Sequence, residues 1–498
     1  MNKRLIGKVI GLILIIEAVL LILPVIISVI YGDGDWKYFM ITLSGSAVLG
    51  LPLYLIKIKK KTLHASDGFL IVALAWLVLS AVAAVPFVIS GNIPNYLDAI
   101  FETVSGFTTS GVTIMPDVEI LSYSMQFWRI FTHWIGGMGI LVFMLAISPV
   151  AGGGTAIHLM RAESPGPVVE KISPRIGQTA RYLYLIYLGL TVAEVIALMI
   201  AGMDVYHGFL VAFGTMATGG FSYLNTSMAA VTFAQQNIIT VFMVLAGVNF
   251  SLYFLLLTGR LKQVFQNEEL RIYIALYVVL CVLITVSVCV HNVFDSVGDA
   301  VHNVAFMVAS LMTTTGYSCC NVDLWPWFAK NLVILFMFVG ACSGSTAGGI
   351  KVVRVDIALR SLKDSLHSLM HPRSVSKVYY NKKEVQPDVI KGIVSYFVMF
   401  VALFAVSMII VSLDEKADFL TAFSAVDTTI SNNGIGLAGA NGPFTDFKWF
   451  SKVVFIIDML IGRLEIYPIM VLFGTIFIPV KTSERRLRKH IEGARKMI

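Results

Sequence analysis

The sequence predicts an all-α polytopic membrane protein with four pseudo-symmetric helix–pore-loop–helix repeats around a central pore, preceded by two extra transmembrane helices. Three observations predict this fold. Of the 498 residues, 57% are hydrophobic and only 13% are charged, whereas soluble domains carry roughly a quarter charged residues. Apolar runs of about 20 residues, enough to cross a bilayer, recur along nearly the whole chain. A hydroxyl- and glycine-rich motif follows a short apolar segment four times.

The apolar runs place the membrane spans. We expect ten, at 9–31, 36–56, 68–90, 122–149, 181–202, 234–258, 272–292, 327–350, 392–413 and 449–480. The first run is too long for a signal-peptide core and no A-x-A site follows it, so a retained span is expected. Four half-apolar segments lie between pairs of spans, at 96–108, 205–217, 299–313 and 418–430. Because these are too short to cross a bilayer, we predict re-entrant helices.

The positions of Lys and Arg predict the orientation. If the N-terminus is cytoplasmic, 30 of the 37 basic residues fall in the inner segments 1–8, 57–67, 150–181, 259–271, 351–392 and 481–498. This asymmetry follows the positive-inside rule, so both termini are expected in the cytoplasm. The predicted outer side is acidic instead, which would concentrate cations there, although an ordinary solvated surface has the same composition.

The repeated motif divides the chain into units. It reads FTTSGVT around Gly111, MATGGFS around Gly219, TTTGYSC around Gly316 and SNNGIGL around Gly434, and a phenylalanine precedes each glycine by ten or eleven residues. Repeats of this kind set the fold. We therefore predict two N-terminal transmembrane helices (1–66), four pore repeats (67–150, 151–259, 260–350 and 392–480), a basic cytoplasmic linker (351–391) and a basic cytoplasmic tail (481–498).

Four such loops around one axis could bind a cation. Irregular backbone at membrane depth is tolerated only where it is buried or lines water. Its carbonyl oxygens could replace the hydration shell of a monovalent cation, and short helices whose C-terminal ends point inward would favour that charge. The alternative interpretation is that the four motifs are unrelated glycine turns between helices and bind no ion. The predicted ligands are Thr109, Ser110, Gly111, Thr218, Gly219, Gly220, Thr314, Thr315, Gly316, Asn432, Asn433 and Gly434.

The four loops are not equivalent. The third, TTTGYS, most nearly matches the TVGYG filter of potassium channels. In the fourth, Asn432 and Asn433 replace hydroxyl groups by amides. A pore with unequal quarters would be less strictly selective, or bind fewer ions, than a symmetric one.

Two further features carry polar chemistry inside spans. The stretch GACSGSTAGGIK (340–351) should form a weak helix. It could plug an ion path, or pack closely against other helices through its small residues, and its residue types favour neither. Arg463, in the last predicted span, would either face the pore or pair with Asp458 or Glu465 on its own helix. Arg129 and His133 lie one turn apart, which favours a satisfied polar pair over a proton relay.

These residues resemble the Trk/Ktr/HKT superfamily of cation transporters over essentially the full length. The resemblance is carried by the four Gly loops, by MRAESPGPVVEKISPRIGQTAR (160–181), by GACSGSTAGGIK and by GRLEIYP (462–468). The two extra spans before the first repeat favour the TrkH branch over the shorter KtrB branch. Ser110, where Thr would be expected, and the amide pair of the fourth loop depart from the family pattern.

The resemblance implies a function. It implies transport of K+ across a bacterial inner membrane, with no organic cofactor on this chain. It also implies an intramembrane gating loop, a pore-facing Arg463, a homodimer, and a cytosolic nucleotide-binding partner subunit (TrkA) docked on the basic inner segments. The gating residues would be Gly344, Ser345, Thr346, Ala347, Gly348 and Arg463.

Other functions fit the sequence less well. A secondary carrier of another cation such as Na+, or of a small solute, usually has inverted repeats, whereas these four repeats run parallel. An intramembrane enzyme would need facing catalytic groups, and the histidines form no HExxH or similar set. The five cysteines suggest neither a disulfide framework nor a zinc site. No nucleic-acid partner is expected, and the residues leave open a channel or a symporter coupled to H+ or Na+.

Overall fold

The structure, a computed structural model, describes residues 3–57, 65–137, 139, 176–372, 377–415, 417–464, 466 and 468–470. The predicted basic tail (481–498), most of the 160–181 motif and the end of the last predicted span lie outside these residues. Within them the fold is all-α, as predicted. The two strands that the described residues form belong to a short hairpin, β1 (Tyr379–Tyr380) and β2 (Lys383–Glu384), which pair antiparallel.

The helices follow the predicted order. They are α1 (Lys3–Leu20), α2 (Ile22–Tyr31), α3 (Trp36–Tyr54), α4 (Ala65–Ala83), α5 (Val85–Ser90), α6 (Tyr96–Phe107), α7 (Tyr123–Gly137), α8 (Ile176–Ile200), α9 (Val205–Met216), α10 (Phe233–Ala246), α11 (Phe250–Leu257), α12 (Leu261–Gln266), α13 (Glu268–Val290), α14 (Val297–Met312), α15 (Trp327–Met337), α16 (Val352–Met370), α17 (Pro387–Val411), α18 (Phe419–Ile430) and α19 (Trp449–Leu464).

The described residues include five helices, or pairs of helices, that are long and apolar enough to cross a membrane. They are Arg4–Tyr31, Gly68–Ser90, Ala180–Ile200, Glu268–Val290 and Pro387–Val411. These match predicted spans, and the multi-pass membrane assignment is confirmed.

Two predicted spans lose their helical path across the membrane, unlike 9–31 and 68–90, which divide only at single residues between α1 and α2 and between α4 and α5. The span 234–258 breaks between α10 and α11, which meet at 92°. Gly247 has no room for a side chain there, since a Cβ would lie 2.9 Å from Thr313 Cγ2, and Asn249 starts α11 by accepting the Ser251 N–H. The span 327–350 is helical only to Met337. The break at Gly247 was not predicted, because the residues around it stay apolar. The loss of helix after Met337 agrees with the weak helix predicted for the Gly-rich stretch 340–351.

The four short segments form helices at the predicted places. α6, α9, α14 and α18 agree with the predicted bounds to within two residues. Each begins at a polar cap whose side chain accepts a backbone N–H of the first turn: Asn95, Asp204, Ser296 and Asp418. The last seven residues of each are all buried. The four helices therefore point their C-terminal ends into the interior, where the site lies.

Candidate functional site

Each short helix ends in the same turn. After α6, the Thr109 N–H donates to Gly106 O (3.1 Å) and the Ser110 N–H to Ser105 O (2.9 Å). This is a Schellman motif, which reverses the chain after a helix. The other three short helices end with the equivalent pairs of bonds. The left-handed residue of the turn is Thr109, Thr218, Thr314 or Asn432, with φ of 55°, 53°, 53° and 52°.

A glycine with positive φ follows two residues later in every repeat. These glycines are Gly111, Gly220, Gly316 and Gly434, with φ of 79°, 84°, 87° and 74°. The second motif is therefore centred on Gly220, and centring it on Gly219 was wrong. Two adjacent glycines make the register ambiguous in the sequence. The first, second, third and fourth Gly loops are 108–111, 217–220, 313–316 and 431–434.

The four Gly loops close into a ring. A Cβ added to Gly111 would overlap the carbonyl oxygen of Gly219 in the second loop, and one on Gly220 would overlap that of Thr315 in the third. A Cβ on Gly316 would lie 2.8 Å from Asn433 O, and one on Gly434 would lie 2.8 Å from Ser110 O. Each glycine thus packs on a carbonyl of the next loop, and the fourth returns to the first. The structure brings the twelve predicted ligands together, while their role stays a prediction.

The ring is rich in buried oxygen atoms. The hydroxyl and amide side chains of the four loops are fully buried. Among the described residues, Ser110 Oγ, Asn432 Oδ1 and Asn433 Oδ1 have no hydrogen-bond partner. A buried oxygen without a donor suits a cation better than an apolar neighbour. The oxygens gathered here belong to backbone carbonyls, hydroxyl groups and amides, so they are uncharged. The part of the chain that the structure describes contains no cluster of three or more His, Cys, Asp or Glu placed for a metal ion.

A buried ion pair joins the residues that directly follow the first and second Gly loops. Arg129 Nε lies 2.6 Å from Glu102 Oε1, and both side chains are almost fully buried. Glu102 also accepts the Ile114 N–H (2.8 Å), while Arg129 donates to Ser222 O (3.0 Å) and stacks on the Phe221 ring. This pair could not be predicted from the sequence, because Glu102 and Arg129 lie on different helices.

His133 separately joins the end of α6 to the residue that follows the second Gly loop. Its Nδ1 bonds to Gly106 O (2.7 Å) and its Nε2 accepts the Phe221 N–H (3.0 Å). A ring that accepts at Nε2 must carry its proton at Nδ1 and be neutral. The expected pairing of Arg129 with His133 was wrong, since each side chain reaches a partner from another helix or loop.

Removing the Arg129 guanidinium from its ion pair with Glu102 should strongly destabilise the folded protein. Arg129→Met leaves the Glu102 carboxylate buried without its partner, which typically costs about 3–5 kcal/mol. We expect a clearly lower thermal midpoint in detergent. The double variant Glu102→Gln, Arg129→Met should recover part of the loss, because no unpaired charge remains. An unchanged midpoint for Arg129→Met would show that the pair contributes little.

The loops that follow the ring are tied together in the same order. These linking loops are 112–122, 221–232, 317–326 and 435–448. The bonds between them are Val118 N–H to Asn225 Oδ1 (2.8 Å), Met228 N–H to Ser318 O (2.9 Å), Ala438 N–H to Asp323 Oδ1 (3.0 Å) and Phe444 N–H to Thr113 O (2.8 Å). The side chain of Asn225 and the N–H of Glu119 stabilise the charged form of Asp117 and hold its pKa below its ordinary value.

A Gly-rich segment, residues 340–351, covers the other side of the ring. It is closed at its base, where Gly340 N–H donates to Ile350 O (2.5 Å). At its tip the Gly348 N–H donates to Thr314 Oγ1 (2.7 Å), and Thr346 Oγ1 lies 3.3 Å from Thr218 Oγ1. A Cβ on Gly348 would lie 2.7 Å from Ser431 O. The tip therefore touches the second, third and fourth Gly loops.

Arg463 links this segment to the first Gly loop. Its guanidinium donates to Thr346 O (2.7 Å), Gly136 O (2.6 Å) and Thr109 Oγ1 (3.2 Å). Asp458, a partner considered on the same helix, instead accepts from Ser407 (2.8 Å). Glu465 lies outside the described residues.

The predicted gating residues divide into two groups. Thr346 and Gly348, with Ala347 between them, lie at the ring together with Arg463. Gly344 faces away from it, since its carbonyl accepts the Phe250 N–H (3.1 Å), and Ser345 bonds back to Cys342 O (2.6 Å).

The buried position of Lys351 beneath the ring was not predicted from the sequence. Its side chain is 2% exposed, and its ammonium donates to the carbonyls of Ala347 and Gly348, which supports the tip of the Gly-rich segment. Lys351 directly follows an apolar, glycine-rich run in a predicted span, and a lysine at membrane depth is costly unless its charge is satisfied. Its position could therefore have indicated a buried lysine with protein partners.

The chain is similar to known transport proteins. The model of the family described as "TrkH: Cation transport protein" matches residues 37–485. The sequence is 36% identical over 483 residues to the Trk system potassium uptake protein TrkH of Escherichia coli (strain K12), covering 96% of this chain and 99% of that protein. The crystal structure of the potassium transporter TrkH from Vibrio parahaemolyticus aligns with a TM-score of 0.85 and 32% identity, covering 96% of this chain and 99% of that one.

Proposed function

Because the chain belongs to the TrkH family of cation transport proteins, we propose that it is the potassium-translocating membrane subunit of a Trk-type uptake system. The observation that carries the proposal is the closed ring of four Gly loops, in which each glycine packs on a carbonyl of the next loop. Relatives named as potassium uptake proteins support K+ as the transported ion.

The ring would act as the selectivity filter. Carbonyl and hydroxyl oxygens replace the water of an entering K+, and the C-terminal ends of the four short helices favour its positive charge. The Schellman turns matter here because they reverse the chain at the ring, so that backbone rather than bulky side chains lines it. The amides of Asn432 and Asn433 make the fourth quarter different and lower the expected selectivity.

The Gly-rich segment would be the gate. Its tip lies against the second, third and fourth Gly loops. Arg463 connects the tip to the remaining one, the first Gly loop. A cation leaving the ring would meet both the segment and the guanidinium. Opening therefore requires the tip and Arg463 to move together, since Thr346 O is bonded to Arg463.

We also propose an orientation in the membrane and two kinds of partner. We place the linking loops outside the cell and α16, the hairpin and both termini in the cytoplasm of a bacterium, following the positive-inside rule. A homodimer, and a cytosolic nucleotide-binding subunit (TrkA) on the basic surface of 351–392, complete the proposed system.

Growth rescue tests the function. A bacterium lacking its own potassium uptake systems should grow on low potassium when it expresses this chain with its cytosolic partner subunit. The matched control carries Gly316→Ser in the third Gly loop, at equal membrane levels. Failure of the native chain with both subunits present would contradict the proposal, and rescue of sodium-limited growth instead would favour a Na+ transporter.

A further inference from the structure

The Gly-rich segment is held by a buried carboxylate outside the ring. Glu269, in the first turn of α13, accepts the Ser343 N–H at 2.6 Å and is 4% exposed. Hydrogen bonds to a charged group are about twice as strong as neutral ones. Ser343 lies on the part of the segment that faces away from the ring, five residues before Gly348. Glu269 therefore holds the segment from the side opposite to its tip.

Two backbone hydrogen bonds fix the same part of the segment to the bent span. Cys342 N–H donates to Gly247 O (3.0 Å), and Phe250 N–H donates to Gly344 O (3.1 Å). Both Gly247 and Phe250 flank the 92° bend between α10 and α11. The break in this span thus supplies a donor and an acceptor that a continuous helix would use internally. Ser343 sits between these two bonds, where Glu269 meets it.

The first turn of α13 is itself braced by cytoplasmic elements. Glu268 forms an ion pair with Arg360 of α16 (2.9 Å), and the Glu268 N–H donates to Asn381 Oδ1 in the hairpin turn (2.9 Å). Arg360 also donates to Tyr379 O (2.8 Å) in the first strand of the hairpin. The hairpin, α16 and the start of α13 are therefore one connected unit, and Glu269 projects from it to the segment.

We propose that Glu269 is the latch of the Gly-rich segment, and that the Arg360–Glu268–Asn381 brace keeps this latch in place. The inference rests on the proposed function, in which the segment is the gate. Glu269 is a positioning residue, since it touches the gate and not the ion. Loss of its carboxylate removes a charged acceptor and frees the middle of the segment while the tip contacts remain.

Cys342 offers a direct reporter that needs no transport. It is fully buried and adjacent to Ser343. In a chain whose other cysteines (Cys281, Cys289, Cys319 and Cys320) are changed to Ser, the rate of Cys342 modification by a small thiol reagent reports opening of the segment. We expect Glu269→Ala to raise this rate roughly tenfold, a change that corresponds to roughly 1.4 kcal/mol. Glu269→Gln removes the same negative charge from beside the Cys342 thiol but keeps a carbonyl acceptor, so it should raise the rate less. The excess of Glu269→Ala over Glu269→Gln therefore reports the lost hydrogen bond.

Two controls separate a latch from general loosening. Glu384→Ala removes an exposed ion pair with Lys377 at the hairpin and should leave the Cys342 rate unchanged. A second chain that keeps only Cys319, buried beyond the ring in a linking loop, should react at the same rate with and without Glu269→Ala. Arg360→Ala should raise the Cys342 rate, by less than Glu269→Ala.

The outcomes are decisive. An unchanged Cys342 rate in Glu269→Ala, or an equal rise at Cys319, would overturn the latch. If Cys342 becomes exposed while neither the native chain nor Glu269→Ala carries rubidium, the proposed function fails and the latch stands. If Glu269→Ala raises both the Cys342 rate and the rubidium flux, the two proposals are supported together.

Discussion

Arg463→Ala should increase rubidium leak through the reconstituted protein by roughly tenfold or more. The guanidinium lies within hydrogen-bond distance of Thr109 in the ring and of Thr346 in the Gly-rich segment. Two unit charges about 5 Å apart in an effective dielectric of about 20 repel by about 3 kcal/mol, and a barrier lowered by roughly 1.4 kcal/mol already gives a tenfold rate. Alanine removes both this repulsion and the bond to Thr346.

Arg463→Lys separates the two contributions. Lysine keeps the positive charge but, as a single ammonium, cannot reach the Thr346, Gly136 and Thr109 oxygens in the fork geometry of a guanidinium. We expect its leak to lie between those of the native chain and Arg463→Ala. Rubidium uptake into vesicles, at matched protein levels and without the cytosolic partner, is the measurement. A leak in Arg463→Ala no greater than the native one would remove Arg463 from the gate.

Gly316→Ser should lower the ratio of potassium to sodium permeability by roughly tenfold or more. Gly316 has a φ of 87°, and a Cβ there would lie 2.8 Å from Asn433 O and 2.9 Å from Gly434 Cα. A backbone conformation that side chains rarely adopt costs of the order of 1–3 kcal/mol. Relief of either conflict moves the third Gly loop against the fourth and misplaces the oxygens that replace water around K+.

Gly202→Ser is the matched control for backbone strain. Gly202 lies in the turn before α9 with the same φ of 87°, but a Cβ there would meet nothing within 4 Å. It should therefore leave the permeability ratio unchanged. Reversal potentials in mixed potassium and sodium solutions measure the ratio. If Gly316→Ser keeps the native ratio, or Gly202→Ser lowers it equally, the third Gly loop is not part of the filter.

Much of the architecture could be predicted because it is local or repeated. Apolar runs and four copies of one motif predicted the membrane class, the short helices and the residues of the ring. The helix caps and the Schellman turns depend on residues within five positions of each other, so a single stretch of sequence contains them. The multi-pass helical fold and the family of the chain followed from these patterns.

Contacts between distant residues could not be predicted in the same way. Gly247 at the break is crowded by Tyr273 and Thr313. The partner of Arg129 is a carboxylate on another helix, and Arg463 donates to oxygens of segments more than a hundred residues away. In the pair Gly219 and Gly220, the structure shows that Gly220 has the positive φ and packs on Thr315 O of the third Gly loop.

The sequence by itself determined that four oxygen-rich turns, each on a capped short helix, would exist in a membrane protein. Only the tertiary structure decided that these turns meet edge to edge, that a fifth, glycine-rich segment covers one side, and that Arg463 and Glu269 hold it there. The reason is physical: hydrophobicity, capping and backbone freedom act over a few residues, whereas the partner of a buried charge or carbonyl depends on which helices pack together.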